Sequence, residues 1–438
     1  MDPLVVGIIA MVALIIALLI GVPVAAALAL SGLAGMYFGV GETFMVGQLR
    51  TLPFSVISNY GFAVLPLFIL MGSLASLSGV AGKLFYAADA WLRGFKGGMY
   101  YAVIYGSSMF SAVSGSTVAN SVLFMRLAFP DMVKNGYSRS LSIGIICATG
   151  ALDAMIPPSI TMVIYAIVTE QSVGQLLIAG IIPGLLSAVI YAIGIFVMIR
   201  WKPSLAPPVV RALPLREKLA ALAGIWPIML LVVVIFGGIY AGFFAPTAAG
   251  AVGAAGALAL ALVLARGNPR GWLWPAMTDA ASISCIIFLI LIGGLLFSRM
   301  ILVTGVVDVV PDRLAALSTS PLVFLGIVAI IYLILGMFID TTSMMLVTLP
   351  FIFPASQKLG IDPSWFGIII VKLVEISVMT PPVGINLFAV MSVVDKDTTW
   401  SHLIHGVIPF ILLELIVLGL LVLYPELSLW LPRKMLEQ

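Results

Sequence analysis

The sequence has 438 residues, of which 62% are hydrophobic and only 9% are charged, and its formal net charge is +3. An ordinary soluble domain carries roughly 25% charged residues, so this composition excludes one. Apolar stretches of about 20 residues, each long enough to span a bilayer as a helix, recur from residue 4 to residue 424 with short polar breaks. We therefore predict a single all-α polytopic membrane domain over residues 1–438.

The amino-terminal segment "MDPLVVGIIAMVALIIALLIGVPVAAALAL" is predicted to form two retained spans that join at Gly21 to Pro23. A signal peptide begins with positive charge, whereas this segment begins with Asp2. Positive charge is concentrated further along, where five Lys and Arg residues fall between residues 200 and 218. The positive-inside rule places that loop in the cytoplasm and, counting spans backwards, the amino terminus outside.

Two parts of the chain share a pattern of glycines and prolines. Gly136 precedes the pair Pro157-Pro158 by 21 residues, and Gly360 precedes Pro381-Pro382 by the same 21 residues. Upstream of each proline pair lies a cluster of glycine and hydroxyl residues, "SAVSGSTVAN" at 111–120 and "GMFIDTTSMMLVTLP" at 336–350. The charge pattern and the count of spans give the two proline segments opposite directions, so we predict an inverted repeat.

The predicted boundaries follow from this pattern. The first repeat covers about residues 55–200 and the second about residues 278–425. Each is expected to contain one re-entrant helical hairpin and one broken transmembrane helix. The expected hairpins lie at about 98–130 and 320–353, and the expected broken helices at about 141–168 and 365–392. Matched interrupted segments of this kind point to the binding site of a secondary transporter.

The broken helices have a chemical use. A proline inside a helix removes an amide donor and displaces a carbonyl, at a cost of about 3 kcal/mol, and a freed carbonyl in a membrane needs a partner. A small hard cation prefers such oxygen ligands. We therefore predict two cation sites. The first would combine Ser111, Ser114 and Thr117 with the pair Pro157-Pro158. The second would combine Gly336, Asp340, Thr341 and Thr342 with Ser377, Thr380 and Pro381.

Exposed amides at the hairpin tips and helix starts would also favour an anion such as a carboxylate. The alternative interpretation is structural. Serine and threonine in spanning helices commonly bond to their own backbone or across an interface, and a proline pair can serve only to shape a bundle.

Five charged residues stand inside apolar runs, where burial of a charge costs roughly 2.5 to 3.5 kcal/mol. They are Asp153, Arg299, Asp340, Lys372 and Glu375. Lys372 and Glu375 are three residues apart and either neutralise each other or serve transport. Arg299 either contacts a substrate anion or extends to the membrane surface. Asp153, four residues before the first proline pair, is a candidate for the first cation site.

Other motifs mainly exclude functions. Cys147 and Cys285 lie inside apolar runs, which favours packed thiols over a disulfide. His402 and His405 sit three apart beside two aspartates, but without a third ligand they indicate an interfacial pair rather than a metal site. The sequence has no GxxxxGK[ST], HExxH or GxSxG motif, which argues against an ATP-driven pump and an intramembrane enzyme. A channel is also disfavoured, because inverted broken helices suit alternating access better.

Five segments spread over nearly the whole chain resemble a known family. They are "GVPVAAALALSGL", "SAVSGSTVAN", "IPPSITMVIYA", "LGMFIDTTSMMLVTLP" and "TPPVGINLFAV". In this order they are similar to the large membrane (DctM-type permease) subunit of tripartite ATP-independent periplasmic (TRAP) transporters. The resemblance implies sodium-driven symport of a carboxylate, such as a C4-dicarboxylate or sialic acid, across the bacterial inner membrane. It also implies the ion-transporter superfamily fold, in which a transport domain moves as an elevator against a scaffold.

The same resemblance implies two protein partners, a small four-helix membrane subunit and a periplasmic substrate-binding protein, and no nucleic acid. Matching motif to motif, it implies one Na⁺ site formed by Ser111 and Ser114 with carbonyls near Asp153, Ile156 and Pro158. The second Na⁺ site would use Gly336, Ser377, Thr380 and Val383. Expected substrate contacts are Ser116, Thr117, Asp340, Thr341, Thr342, Asn386 and Arg299.

The chain departs from the family pattern at three positions. Asp153 and Ser377 stand where similar proteins often have glycine, and Arg126 occupies a position that is commonly small. Asp153 adds a carboxylate to a site of otherwise neutral oxygens. Two alternatives follow for this chain, tighter sodium binding or coupling of transport to protons.

The energetics of the expected function are those of a coupled carrier. Each positive charge that moves inward gains about 2.3 kcal/mol per 100 mV, so two sodium ions gain about 4.6 kcal/mol. A dianion that enters with only two sodium ions cancels that gain. The alternative function is an ion exchanger, or a carboxylate carrier of the same superfamily that needs no binding protein. The sequence does not name the carboxylate.

Overall fold

The computed structural model describes residues 2–209, 212–264, 269–307, 309, 320–382 and 384–436, and their regular structure is helical throughout. Five helical stretches in this part of the chain are long and apolar enough to cross a membrane. They are Tyr60–Leu77, Val173–Trp201, Pro246–Val263, Gly271–Val303 and Trp400–Leu423. A further pair, Leu215–Ala223 and Trp226–Tyr240, is bent by 50° and adds a sixth candidate span. The chain is a multi-pass all-helical membrane protein.

The amino-terminal helices are α1 (Pro3–Leu19), α2 (Val24–Gly39), α3 (Glu42–Ser58), α4 (Val64–Leu77) and α5 (Val80–Leu92), with a 3₁₀ turn at Tyr60–Ala63. α1 begins where Asp2 accepts a hydrogen bond from the Leu4 amide at 3.0 Å, with a proline in the first turn. Residues 20–23 connect α1 to α2, and they include the predicted junction at Gly21 to Pro23. The two helices pack against each other.

The next helices are α6 (Gly98–Ser114), α7 (Thr117–Lys134), α8 (Arg139–Ala151), α9 (Ile160–Val168), α10 (Val173–Ala179) and α11 (Ile181–Trp201), with 3₁₀ turns at Leu152–Ala154 and Pro203–Leu205. Only Gly115 and Ser116 separate α6 from α7, and the two helices pack together as a hairpin. Gly115 has φ +70°, a left-handed conformation that glycine adopts without steric cost, and this permits the tight connection.

The middle of the chain forms α12 (Leu215–Ala223), α13 (Trp226–Tyr240), α14 (Pro246–Leu264) and α15 (Pro269–Val303). The bend between α12 and α13 was not anticipated from the sequence. It falls at Gly224 and Ile225, just before Pro227, which lacks the amide that would continue the helix. α15 packs along α2 and α4, and α14 packs along α4 and α13.

The remaining helices are α16 (Pro321–Leu335), α17 (Thr341–Lys358), α18 (Pro363–Val378), α19 (Ile385–Met391), α20 (Trp400–Leu423) and α21 (Glu426–Leu436). Residues 336–340 join α16 to α17, which also contact each other. Both proline pairs fall in gaps between helices, Pro157-Pro158 between α8 and α9 and Pro381-Pro382 between α18 and α19. Each pair contains a cis peptide bond.

The packing around these gaps crosses from one half of the chain to the other. α9 contacts α17, and α19 contacts α7. We call these two pairings the crossed contacts. α8 packs against α6, α7 and α20, so the helix before the first gap is enclosed on several sides.

The cysteines and histidines lie on helices and not in the gaps. Cys147 is buried and free, as predicted, whereas Cys285 is exposed on α15. The expectation of a packed thiol is wrong at Cys285, because an apolar run in a membrane protein has an outward face. His402 closes a capping box with Thr399 at the start of α20. Within the described ranges, no group of three His, Cys, Asp or Glu side chains is arranged to hold a metal ion.

Candidate functional site

An open cavity of about 190 Å³ lies where the first hairpin, the first helix gap and the start of α17 meet. α4 and α15 form its other walls. The candidate residues from the sequence that line it are Ser114, Ser116, Thr117, Asp153, Thr341 and Thr342. The fold therefore brings predicted residues from both halves of the chain to one cavity.

Three helices begin at this cavity. The first turns of α7, α9 and α17 contribute Thr117 to Ala119, Ile160 with Thr161, and Thr341 with Thr342. The first amides of a helix lack partners within the helix and carry its positive dipole end. Three such ends in one cavity form an environment that can bind an anion.

Side-chain caps leave part of this amide set free. Ser116 accepts a hydrogen bond from the Ala119 amide at 3.4 Å. Ser159 accepts one from the Met162 amide at 3.3 Å. Asp340 accepts from the Thr342 and Ser343 amides, both at 3.1 Å, and from the Ser343 hydroxyl. Asp340 therefore acts as the cap of α17.

Asn120 organises the polar side of the first hairpin. Its Nδ2 donates to Ser111 Oγ at 2.9 Å and lies 3.5 Å from Asp153 Oδ1. Its Oδ1 accepts from Ser107 Oγ at 3.2 Å. The sequence analysis did not assign Asn120 to the site, although it lies within the predicted glycine and hydroxyl cluster.

Asp153 is the buried carboxylate of this network. The residue is 1% exposed, and its Oδ2 has no hydrogen-bond partner within the described part of the chain. Burying a carboxylate oxygen without a donor is costly. Such an oxygen is suited to a bound cation or to a proton.

The first helix gap supplies backbone oxygens. The Ser159 hydroxyl donates to the Ala154 carbonyl at 2.5 Å, and the Ile156 amide donates to the Leu152 carbonyl at 2.8 Å. A Cβ placed on Gly115 would lie 3.7 Å from the Pro158 carbonyl oxygen, so that oxygen borders the hairpin tip. The side chain of Ile156, a residue predicted to border the first cation site, packs towards Gly184 on α11.

At the second helix gap, the backbone of Gly336 lies against the side chain of Ser377. A Cβ on Gly336 would overlap the Ser377 side chain, so the end of α16 lies directly on α18. Ser377 Oγ donates to the Val374 carbonyl at 2.8 Å, and Thr380 Oγ1 donates to the Ile376 carbonyl at 2.7 Å. Both hydroxyl oxygens keep lone pairs that can accept or ligate. The predicted ligand Val383 lies outside the described residues.

The remaining substrate candidates differ in their surroundings. Asn386 at the start of α19 is fully buried, and neither polar atom of its amide has a partner in the described chain. Arg299 is exposed on α15 and does not line the cavity. Arg126 is exposed on α7.

Two acidic residues inside apolar runs were not among the residues predicted from the sequence. Asp279 on α15 lines the cavity and accepts a hydrogen bond from Ser73 Oγ on α4 at 2.8 Å. Glu414 on α20 is fully buried. Each stands in an apolar run, so the signal that singled out Asp153 was also present at these two positions.

Glu414 belongs to a buried ion cluster with Lys372, Glu375 and Ser187. Lys372 Nζ donates to Glu375 Oε2 at 2.6 Å, to Glu414 Oε2 at 2.7 Å and to Ser187 Oγ at 2.8 Å. The three charged side chains are fully buried. Lys372 and Glu375 do pair, as one of the two sequence interpretations held, but the pair forms part of a larger cluster that joins α18, α20 and α11.

The sequence is similar to those of known proteins over most of its length. The sequence model of the family described as "Tripartite ATP-independent periplasmic transporter, DctM component" matches residues 11–427. The chain is 35% identical over 388 residues to the "C4-dicarboxylate TRAP transporter large permease protein DctM" of Pseudomonas aeruginosa, covering 88% of this chain and 90% of the relative. It is 30% identical over 417 residues to the "Isethionate TRAP transporter permease protein DctMQ" of Oleidesulfovibrio alaskensis, covering 94% of this chain and 64% of that longer relative.

A solved structure shares the fold. The YdaH transporter of Alcanivorax borkumensis superposes with a TM-score of 0.63 over 97% of this chain and 98% of that one, at 13% sequence identity. Identity at this level supports a common architecture and carries no information on the ligand.

Proposed function

The chain belongs to the family of the DctM component of tripartite ATP-independent periplasmic transporters, and from this premise we propose that it takes up an organic acid by sodium-coupled secondary transport. As a member of this family it is a transporter permease and not an enzyme. The observation that carries the proposal is the cavity at which the hairpin tip, three helix starts and the first helix gap meet.

The proposed substrate class is a carboxylate, such as a C4-dicarboxylate, sialic acid or a similar acid. The Pseudomonas aeruginosa relative carries the first of these in its name. The amides that begin α7, α9 and α17 support an anion at the cavity. Of the expected contacts, Ser116, Thr117, Thr341 and Thr342 line the cavity, whereas Arg299 lies apart from it.

The proposed coupling ion is Na⁺, held at about two sites. Hydroxyl and carbonyl oxygens are the ligands that hard cations prefer. The first site would use Ser111, Ser114 and the carboxylate of Asp153, whose Oδ2 has no partner among the described residues, together with the bordering Pro158 carbonyl. The second would use Gly336, Ser377 and Thr380 at the second helix gap. Ser377 and Thr380 there have acceptor lone pairs.

The proposed mechanism is the elevator movement of an inverted repeat. The hairpins α6–α7 and α16–α17, each followed by a gap at a proline pair, support two matched halves. In this proposal the hairpins and broken helices move together against a scaffold that includes α2, α4 and α15. The amino terminus is proposed to lie in the periplasm and the protein in the bacterial inner membrane.

The proposed partners are a small four-helix membrane subunit and a periplasmic substrate-binding protein. The longer Oleidesulfovibrio alaskensis relative supports the first, because its name joins M and Q components in one permease. Uptake into liposomes with and without the periplasmic protein separates this proposal from a carrier that works alone. Sodium-driven uptake of equal rate in both conditions would contradict the tripartite assignment.

Sodium coupling is tested by removing one hydroxyl at each proposed site. Ser114→Ala and Thr380→Ala should each raise the sodium concentration for half-maximal uptake, because each removes one oxygen ligand while leaving the fold intact. Ser392→Ala is the matched control, since Ser392 is exposed and its hydroxyl donates to the Ala389 carbonyl of the preceding helix at 2.7 Å. An unchanged sodium dependence in both site variants would refute their assignment.

A further inference from the structure

The charged side chains of the cavity wall are all acidic. Asp153 and Asp279 line it, and the described lining residues include no Lys, Arg or His. The positive potential that could hold a carboxylate comes from the three helix starts. An acid that carried two carboxylates would bring its second negative charge into a wall that offers no basic side chain.

Asp279 faces the cavity from α15. It lies on one helix face with Ile283 and Ile287, which follow at intervals of four residues and also line the cavity. Its Oδ2 accepts the hydrogen bond from Ser73, and no described residue donates to its Oδ1. A carboxylate with no basic partner inside a spanning helix marks a site that meets water or a ligand.

Asp153 provides a second and separate sign that the cavity takes a positively charged ligand. It is 1% exposed, its Oδ2 has no partner in the part of the chain that the structure describes, and Asp153 and Ser114 both line the cavity. The proposed sodium ion would bind to this carboxylate and balance its charge. Asp279 stands on a different helix, outside either predicted ligand set, and is exposed, so a second cationic group can reach it from the cavity.

We propose that the transported acid is a small zwitterion, whose carboxylate binds at the starts of α7, α9 and α17 and whose cationic nitrogen faces Asp279. This inference rests on the proposed function and narrows its substrate class to amino or ammonio carboxylates. Asp279 then determines specificity, because it attracts the nitrogen and repels a second carboxylate at the same place. Such a substrate has no net charge, so its entry leaves the electrical gain of the sodium ions intact.

The test compares ligands that differ mainly in the charge at one end. 4-Aminobutyrate and succinate have chains of similar length, and glycine betaine adds a permanent cation. Binding is followed by ligand-induced thermal stabilisation of the full chain, purified with its small subunit, at saturating sodium. We expect at least one zwitterion to bind about tenfold more tightly than succinate, the contrast that one charged hydrogen bond supplies.

Substitutions of Asp279 test whether this residue causes the preference for a zwitterion. Asp279→Asn should weaken zwitterion binding by about tenfold without weakening succinate binding, and Asp279→Glu should retain the preference. Asp397→Asn is the matched control, because its side chain is 85% exposed and lies away from the cavity. If Asp279→Asn fails to fold, the preference of the unaltered protein and of Asp279→Glu still decides the question.

The outcomes separate this inference from the proposed function. Tighter binding of succinate than of both zwitterions, or an unchanged preference in Asp279→Asn, overturns the zwitterion and leaves carboxylate transport standing. A variant that alters only the sodium dependence makes Asp279 a sodium ligand and likewise overturns the inference. Failure of every acid probe to stabilise the unaltered protein in sodium counts against both.

Discussion

Replacing Lys372 by methionine would leave two carboxylates without a counter-charge in the buried ion cluster. Lys372 Nζ donates to Glu375 at 2.6 Å and to Glu414 at 2.7 Å, and all three side chains are fully buried. Removing one partner of a buried ion pair costs about 3 to 5 kcal/mol, because the remaining charge has neither water nor a partner. We expect a loss of that size in Lys372→Met.

Glu414→Gln should behave differently. It keeps the bond between Lys372 and Glu375 and removes the surplus negative charge, so the expected loss is no more than about 1 kcal/mol. Lys96→Met is the matched control, because Lys96 is exposed and its loss should change stability by less than about 0.5 kcal/mol. The free energy of unfolding is measured in mixed micelles by circular dichroism. A Lys372→Met cost close to that of the control, or a Glu414→Gln cost equal to that of Lys372→Met, would refute the reasoning.

Two further predictions concern the second helix gap and the membrane surface. Gly336→Ala should lower stability by about 1 to 3 kcal/mol, because its Cβ would overlap Ser377. Gly326→Ala lies within α16, the helix that Gly336 terminates, and its Cβ meets nothing within 4 Å. It should be neutral or stabilising, and equal unfolding midpoints for the two variants would contradict this. Hydrogen bonds from Arg139 hold the pKa of Asp395 below its ordinary value, so the contact stabilises the fold above about pH 3.9 and is lost as pH falls through the lower folded value. Asp395→Asn should therefore unfold at a lower temperature than the unaltered chain at pH 7 and at the same temperature in strong acid. A difference in unfolding temperature that stays the same at both pH values would contradict this prediction.

Features set by local chemistry could be predicted from the sequence. The proline pairs at 157–158 and 381–382 lack the amides that a continuous helix needs, and both fall in gaps between helices. The cluster around Gly115 marked the tip of the first hairpin for the same kind of reason, since glycine permits the left-handed conformation found there.

Features set by packing across the chain could not be predicted in this way. Ser73 and Asp279 are 206 residues apart, and Lys372 and Glu414 are 42 apart, so neither contact leaves a local pattern. Burial was also difficult to predict, because lipid-facing and inward-facing surfaces of a membrane helix are both apolar. Cys285 illustrates this, since its apolar neighbours suggested burial and the residue is exposed.

The crossed contacts have a consequence for how the two halves of the protein would respond to the proposed sodium ions. α9 follows the first helix gap but rests on α17, and α19 follows the second gap but rests on α7. A shift of either hairpin therefore pushes on the helix that belongs to the opposite half. Filling one set of oxygens should change the geometry of the other, so we expect the ions to bind with mutual dependence rather than as two separate equilibria.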